Sequence, residues 1–198
     1  MSGISRRDAL KGAIAGTMLV MGCSGDGRSP PLRQLRRGLG GRPASLDPQL
    51  AADTYAYEVL RDFREGLVTE DAAGRPEPGQ AAHWEVSADG RVYRFRLREG
   101  LRWSDGTPVF PADFAAALRR AVDPRTVSPN AMLLRPIFGA VEVMRGEWPV
   151  TALGVAVEGE RDLVIRLRTP TEFLPAVLAH PVTFPRGPAS GGVRYNGA

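Results

Sequence analysis

The chain has 198 residues, 43% of them hydrophobic and 24% charged, which is enough apolar material for a core of one or two domains and excludes a wholly disordered chain. Its formal charge of +4 would suit an anionic partner, but Lys11 is the single lysine, the arginines are scattered, and half of the excess comes from Arg6, Arg7 and Lys11 against Asp8. No nucleic-acid partner follows from that distribution, and one cysteine, Cys23, excludes an internal disulfide framework.

Residues 5–23 have a charged start, a short apolar run and small residues at its end, the layout of a secretory signal. The apolar run, residues 13–21, is too short to span a bilayer as a helix, which takes about 20 residues. Ser5-Arg6-Arg7-Asp8-Ala9-Leu10-Lys11 resembles the twin-arginine export motif, with Ala9 where phenylalanine is preferred. Val20-Met21-Gly22-Cys23 resembles a lipoprotein processing box, in which the thiol takes a diacylglycerol and the preceding peptide bond is then cut. Cys23 is therefore expected to carry the lipid, and the acyl chains on such a cysteine together give stable attachment. Ser24 rather than aspartate follows it, so either membrane remains possible. Residues 24–42 are rich in Gly, Ser, Pro and Arg and read as a flexible tether whose last few residues pair as a strand.

After Asp47-Pro48, Ala56, Val59, Leu60, Phe63 and Leu67 fall on one face of a helix, with Asp53 or Thr54 as N-cap and Gly66 as the stop. Leu67-Val68-Thr69 reads as a short strand and residues 74–79 as a Pro/Gly turn. Residues 84–97 read as a β-hairpin: Tyr93, Phe95 and Leu97 alternate with Arg94, Arg96 and Arg98 around a turn at Ser87-Ala88-Asp89-Gly90. The arginine side is a solvated sheet face, because the aromatics point the other way rather than interleaving as they do in a nucleic-acid platform. Trp103-Ser104-Asp105-Gly106-Thr107-Pro108 is a turn cluster, and residues 111–121 are strongly helical, with Pro111 at the first position and Asp113 at the positive end of the dipole. Residues 163–168 alternate as a strand ended by Pro170. Helices and strands mix without a regular βαβ rhythm, so the fold class is α/β mixed.

These motifs, in this order, resemble the family 5 extracellular solute-binding proteins. The resemblance rests on Ser45-Leu46-Asp47-Pro48, Glu65-Gly66-Leu67, residues 78–84, Phe95-Arg96-Leu97-Arg98, the run Trp103-Ser104-Asp105-Gly106-Thr107-Pro108-Val109 and Ala112-Asp113-Phe114. Val122-Asp123-Pro124, Ser128-Pro129, Glu147-Trp148-Pro149, residues 151–155, Ala179-His180-Pro181 and Asn196-Gly197-Ala198 are similar to its oligopeptide-binding branch. The resemblance implies a partial periplasmic-binding-protein-like fold of type II, the Venus-flytrap, in which an N-terminal lobe carries the family's additional small lobe. Residues 1–22 are then the signal peptide, 23–34 the tether, 35–64 the start of the large lobe, 65–187 the small additional lobe and 188–198 a truncated return to the large lobe. It also implies oligopeptide ligands, ABC permease subunits as partners, attachment to the lipid membrane through Cys23, and a periplasmic, membrane-anchored location. The ligand-facing positions it carries over are Ala52, Thr54, Asn130 and His180; well-known members have an acidic residue at the first and a tyrosine at the third. Phe110 departs too, standing where the family usually places a capping threonine. The family continues for several hundred residues into a second lobe, so the 198 residues are expected to be impaired in peptide binding.

An enzyme finds little support. His83 and His180 are the only histidines, no metal-ligand spacing or cofactor motif occurs, and there is neither a nucleophile elbow nor a phosphate loop. A short structural or assembly lipoprotein without transport activity is the other alternative.

Overall fold

The computed structural model describes residues 38–187. Arg6 and Arg7, expected to direct export, Cys23, expected to carry lipid, most of the expected tether and residues 188–198 lie outside the described residues. The strand expected at the end of the tether does not form within residues 38–42. Gly40 and Gly41 lie instead against the ring of Tyr55, so closely that a Cβ on Gly41 would sit 2.5 Å from a ring carbon.

Helix α1 (Thr54–Phe63) begins at the Asp53 cap, whose carboxylate accepts the Ala56 N–H at 2.8 Å. The sequence carried this helix toward Gly66, but it stops at Phe63. Arg64 takes an extended conformation (φ −128°, ψ 149°) and donates from Nη1 to the Pro185 carbonyl at 2.6 Å, a tertiary bond that draws the chain out of the helix. Gly66 is required by packing, because a Cβ there would lie 2.7 Å from the Phe184 ring and 2.9 Å from the Leu178 carbonyl oxygen.

Strand β1 (Val68–Glu70) pairs antiparallel with β2 (Pro76–Pro78), a strand where the sequence suggested only a turn. The flanking bonds Asp71 N–H to Arg75 O and Gly79 N–H to Leu67 O put the two prolines at positions that need no donor. The larger sheet is antiparallel in the order β3-β4-β6-β5, from β3 (Ala81–Val86), β4 (Val92–Leu97), β5 (Val155–Glu158) and β6 (Asp162–Arg166). The β3–β4 hairpin is the one its alternation predicts: Tyr93, Phe95 and Leu97 are buried, joined on the same face by Leu163, Ile165 and Val155. Phe114 and Leu118 of α2 (Pro111–Val122) belong to the same core. On the other face Arg94 meets Glu158 at 2.7 Å and Arg96 meets Asp162 at 3.2 Å, so cross-strand acids offset the basic stripe.

Pro111 opens α2 as expected, and Asp113 returns its carboxylate to the Phe110 N–H at 2.9 Å. Phe110 makes no side-chain capping bond, as a phenyl ring must. Two five-residue helices, α3 (Ala140–Met144) and α4 (Leu174–Leu178), complete the layer. A second, smaller apolar cluster of Ala51, Ala56 and Leu60, with Tyr57 and Phe63 against it, underlies α1. No helix among the described residues is long and apolar enough to cross a membrane.

Candidate functional site

Three segments far apart in sequence meet at Tyr57, one turn into α1. The Tyr57 hydroxyl donates to the Ala51 carbonyl at 3.3 Å and accepts from Asn130 Nδ2 at 2.8 Å. The same Nδ2 donates to Ala51 O at 2.9 Å. The Tyr57 ring meets the His180 ring edge-on, centroids 4.9 Å apart at 67°, an arrangement favoured by the ring quadrupoles. Of the four positions carried over from the sequence, Asn130 and His180 are joined through Tyr57. Ala52 and Thr54 flank it in the chain, both exposed, where the Ala51 carbonyl and the first turn of α1 belong to the same cluster. Ala52 contributes no side-chain polar group.

Sequence reasoning missed Tyr57. Its spacing of three from Thr54 places it on the same helical face, but two of its three partners lie 73 and 123 residues away, and no local signal names them.

Each polar side chain sits on a structural cap. Asn130 precedes a short 3-10 turn, Ala131–Leu134, without using its side chain to cap it. His180 precedes the turn Pro181–Thr183, and its Nδ1 accepts the Val182 N–H at 3.1 Å. An accepting Nδ1 carries no proton, so the ring is neutral and its hydrogen is on Nε2. Burial, and secondarily the Arg61 charge, hold its pKa down at about 4 against an ordinary 6.5.

A second network fixes the backbone beneath. Arg120 grips Asp47 with both terminal nitrogens, at 2.7 and 2.9 Å, and also donates to Gln49 Oε1 at 2.8 Å. Fully buried Gln49 donates to the Val182 and Phe184 carbonyls at 2.9 and 3.0 Å. These bonds tie the stretch entering α1 to the stretch after His180, and so set the relation between Ala51 and His180. Arg64, whose pKa burial and then Arg186 push down to about 10, reinforces the tie at Pro185.

A cleft of about 570 Å³, between the end of the hairpin and the start of α2, includes none of these residues. We place the site at Tyr57 rather than there, because polar groups from distant segments converge on Tyr57. Among the described residues no three His, Cys, Asp or Glu side chains are grouped as metal ligands.

Comparison with known proteins identifies the family of the chain. The model for the middle region of the bacterial extracellular solute-binding proteins, family 5, matches residues 75–195. The chain belongs to that family. Among its relatives are the Probable deoxycholate-binding periplasmic protein YgiS of Escherichia coli, 41% identical over 72% of this chain, and the periplasmic oligopeptide-binding protein OppA of the same organism, 39% identical over 76%. The matched stretches are 27% and 28% of those two proteins, so the chain spans less than a third of the length of either family 5 relative. Among solved structures, the unliganded open form of the periplasmic murein tripeptide binding protein MppA superposes with a TM-score of 0.75. It is 36% identical, over 79% of this chain and 32% of that one. The α/β mixed fold is thus that of a periplasmic solute-binding protein, in part.

Proposed function

We propose that the chain is part of the substrate-binding component of a peptide ABC importer, which captures oligopeptides outside the inner membrane and passes them to the permease. The observation that carries this reading is the 36% identity to the murein tripeptide binding protein over 79% of the chain at a TM-score of 0.75. The chemistry of the Tyr57 cluster suits it: a neutral donor and a neutral acceptor can engage a peptide main chain whatever its side chains. We assign Ala52, Thr54, Asn130 and His180 to the ligand-facing surface. Residues 35–64 are assigned to the start of the large lobe, 65–187 to the small lobe and 188–198 to the return. Export would be directed by Arg6 and Arg7, and anchoring would be through lipid on Cys23; mass spectrometry of the mature N-terminus checks the latter, and an unlipidated Cys23 would remove the anchor.

A second reading comes from one relative, named for deoxycholate: the ligand would then be an amphipathic acid. Titrating the 198-residue chain with tripeptides and with deoxycholate below its micelle concentration separates the two. Saturable shifts of backbone amides around Ala51 and Asn130 by peptide alone are expected. The reverse pattern would replace the peptide reading.

A further inference from the structure

The cleft of about 570 Å³ between the hairpin and α2 contains no residue of the Tyr57 cluster, and its volume lies in the range that encloses small-molecule ligands, about 300–1,000 Å³. Main-chain bonds hold its walls. The Val109 N–H donates to Leu101 O at 3.1 Å and closes the loop between them, and the Leu97 N–H donates to Arg161 O at 2.8 Å and ties the end of β4 to the start of β6. Its floor is the open end of the hydrophobic core, to which Leu97 and Val109 both belong. Val155 and Val157 stand two apart on β5 and so share one face of the sheet. Val155 is only 4% exposed, whereas Val157, which lines the cleft, is 42% exposed. Phe110 is a second apolar side chain left in water, at a cap position where its ring makes no capping bond and where serine or threonine would make one. On the wall of the cleft that ring has a different use.

The charges of the cleft favour an anion. Arg98, Arg102 and Arg161 line it against a single carboxylate, Glu160. Arg98 is held by Glu65 at 2.7 Å, and Arg161 by Glu99 at 2.7 Å, but Glu99 is 82% exposed and its hold is weak in water. Arg102 donates from Nη1 to a neutral group, the Gly106 carbonyl, at 2.8 Å. Pro111 and Ala112, at the positive end of the α2 dipole, line the cleft as well. Asp113, the acid of that first turn, returns its carboxylate to the Phe110 N–H and is not among the lining residues.

We propose that this cleft is a second binding site, for a free single-tailed amphipathic acid of the alkyl carboxylate class. The tail lies along Leu97, Leu101, Val109, Phe110 and Val157, and the carboxylate is taken by the arginines, Arg102 foremost. A tail there removes the exposed part of Phe110 and Val157 from water, which is where the gain comes from. A cationic amphiphile would bury the same tail but meet like charge from Arg102 and the helix end. Phe110 stands where threonine is usual in the family, so the site belongs to this chain, and it owes nothing to the peptide-binding reading.

The test is nitrogen-15 NMR of the 198-residue chain with octanoate, octyltrimethylammonium and acetate, each below any micelle concentration. Octanoate should shift the amides of Gly100, Val109, Val157 and Gly159 saturably, at concentrations at least about tenfold below acetate and about threefold below octyltrimethylammonium. Phe110→Thr restores a cap and removes the ring, so it folds and should shrink the first ratio while leaving the second. Arg102→Gln should shrink the second and leave the first, and Arg161→Gln gives that reading if the loop around Arg102 is disturbed. Acetate matching octanoate would reduce the site to an adventitious ion, and octyltrimethylammonium matching octanoate would remove the acid; either overturns the inference. So does an octanoate affinity unchanged in Phe110→Thr. Shifts confined to Ala51 and Asn130 would move the acid to the Tyr57 cluster and overturn this site, leaving the peptide reading to its own titration.

Discussion

His180 links the chemistry of the site to the stability of the fold. In the native state its Nδ1 accepts a backbone N–H and its pKa is held at about 4, by burial first and by Arg61 second. In the unfolded chain it would protonate near 6.5. Between those two values the unfolded state binds more protons than the native one, so the contribution of this residue to stability is complete above about pH 6.5 and is lost as the pH falls toward 4. His180→Asn keeps an oxygen that can accept the Val182 N–H but removes the titration. The expected outcome is that wild type loses stability relative to this variant as urea unfolding is repeated at pH 7, 5.5 and 4. Parallel pH profiles would show that the native imidazole protonates as readily as the unfolded one. Gln49 behaves differently at the same scale: it has no charge to lose, and its two carbonyl acceptors and the Arg120 donor satisfy it without reference to pH.

At the level of elements, α2 and α1 separate what was legible from what was not. Pro111, Asp113 and the apolar repeat announced α2 locally, and its span matches the expectation to within one residue. Only its cap is unusual. Phe110→Ser supplies a capping oxygen to the first turn and should raise stability by about 0.5–1 kcal/mol, read as a shifted urea midpoint at constant slope. No gain would mean that the Phe110 ring, 54% exposed, contributes packing that offsets the missing cap. The hairpin was equally legible, since period-two alternation and an Asp-Gly turn are both local. The end of α1 was not, because it is set by Arg64 reaching Pro185 and by Phe184 and Leu178 closing on Gly66, residues more than a hundred positions away. Gly66→Ala should therefore destabilise by about 1–3 kcal/mol, although a helix interior or an ordinary helix end would tolerate alanine well. Strand β2 was hidden by its prolines, which usually exclude a strand and are harmless here only because of the register that β1 imposes. Asn130 and His180 were singled out from family motifs, whereas Tyr57, which touches both, required the fold.

At the level of the whole molecule, the peptide-binding reading proposed above would have the described residues meet a ligand on one side. Micromolar binding requires about 8 kcal/mol in total. On that reading the Tyr57 cluster would supply a peptide amide with two neutral hydrogen bonds, each worth about 1 kcal/mol net. Apolar contact with the neighbouring exposed side chains adds to this, but a ligand covered on one side keeps much of its surface in water, and immobilising it costs several kcal/mol of the gross interaction. The hydrogen bonds therefore supply about 2 of the 8 kcal/mol, and binding weaker than micromolar is expected. The two relatives are longer, the chain spanning 27% and 28% of them. A shift titration of the 198-residue chain with trialanine is therefore expected to approach saturation only above about 1 mM. Calorimetry at micromolar protein should register no heat of binding. If saturation came instead in the micromolar range, this lobe alone would enclose its ligand, and the one-walled geometry at Tyr57 would have to close on binding.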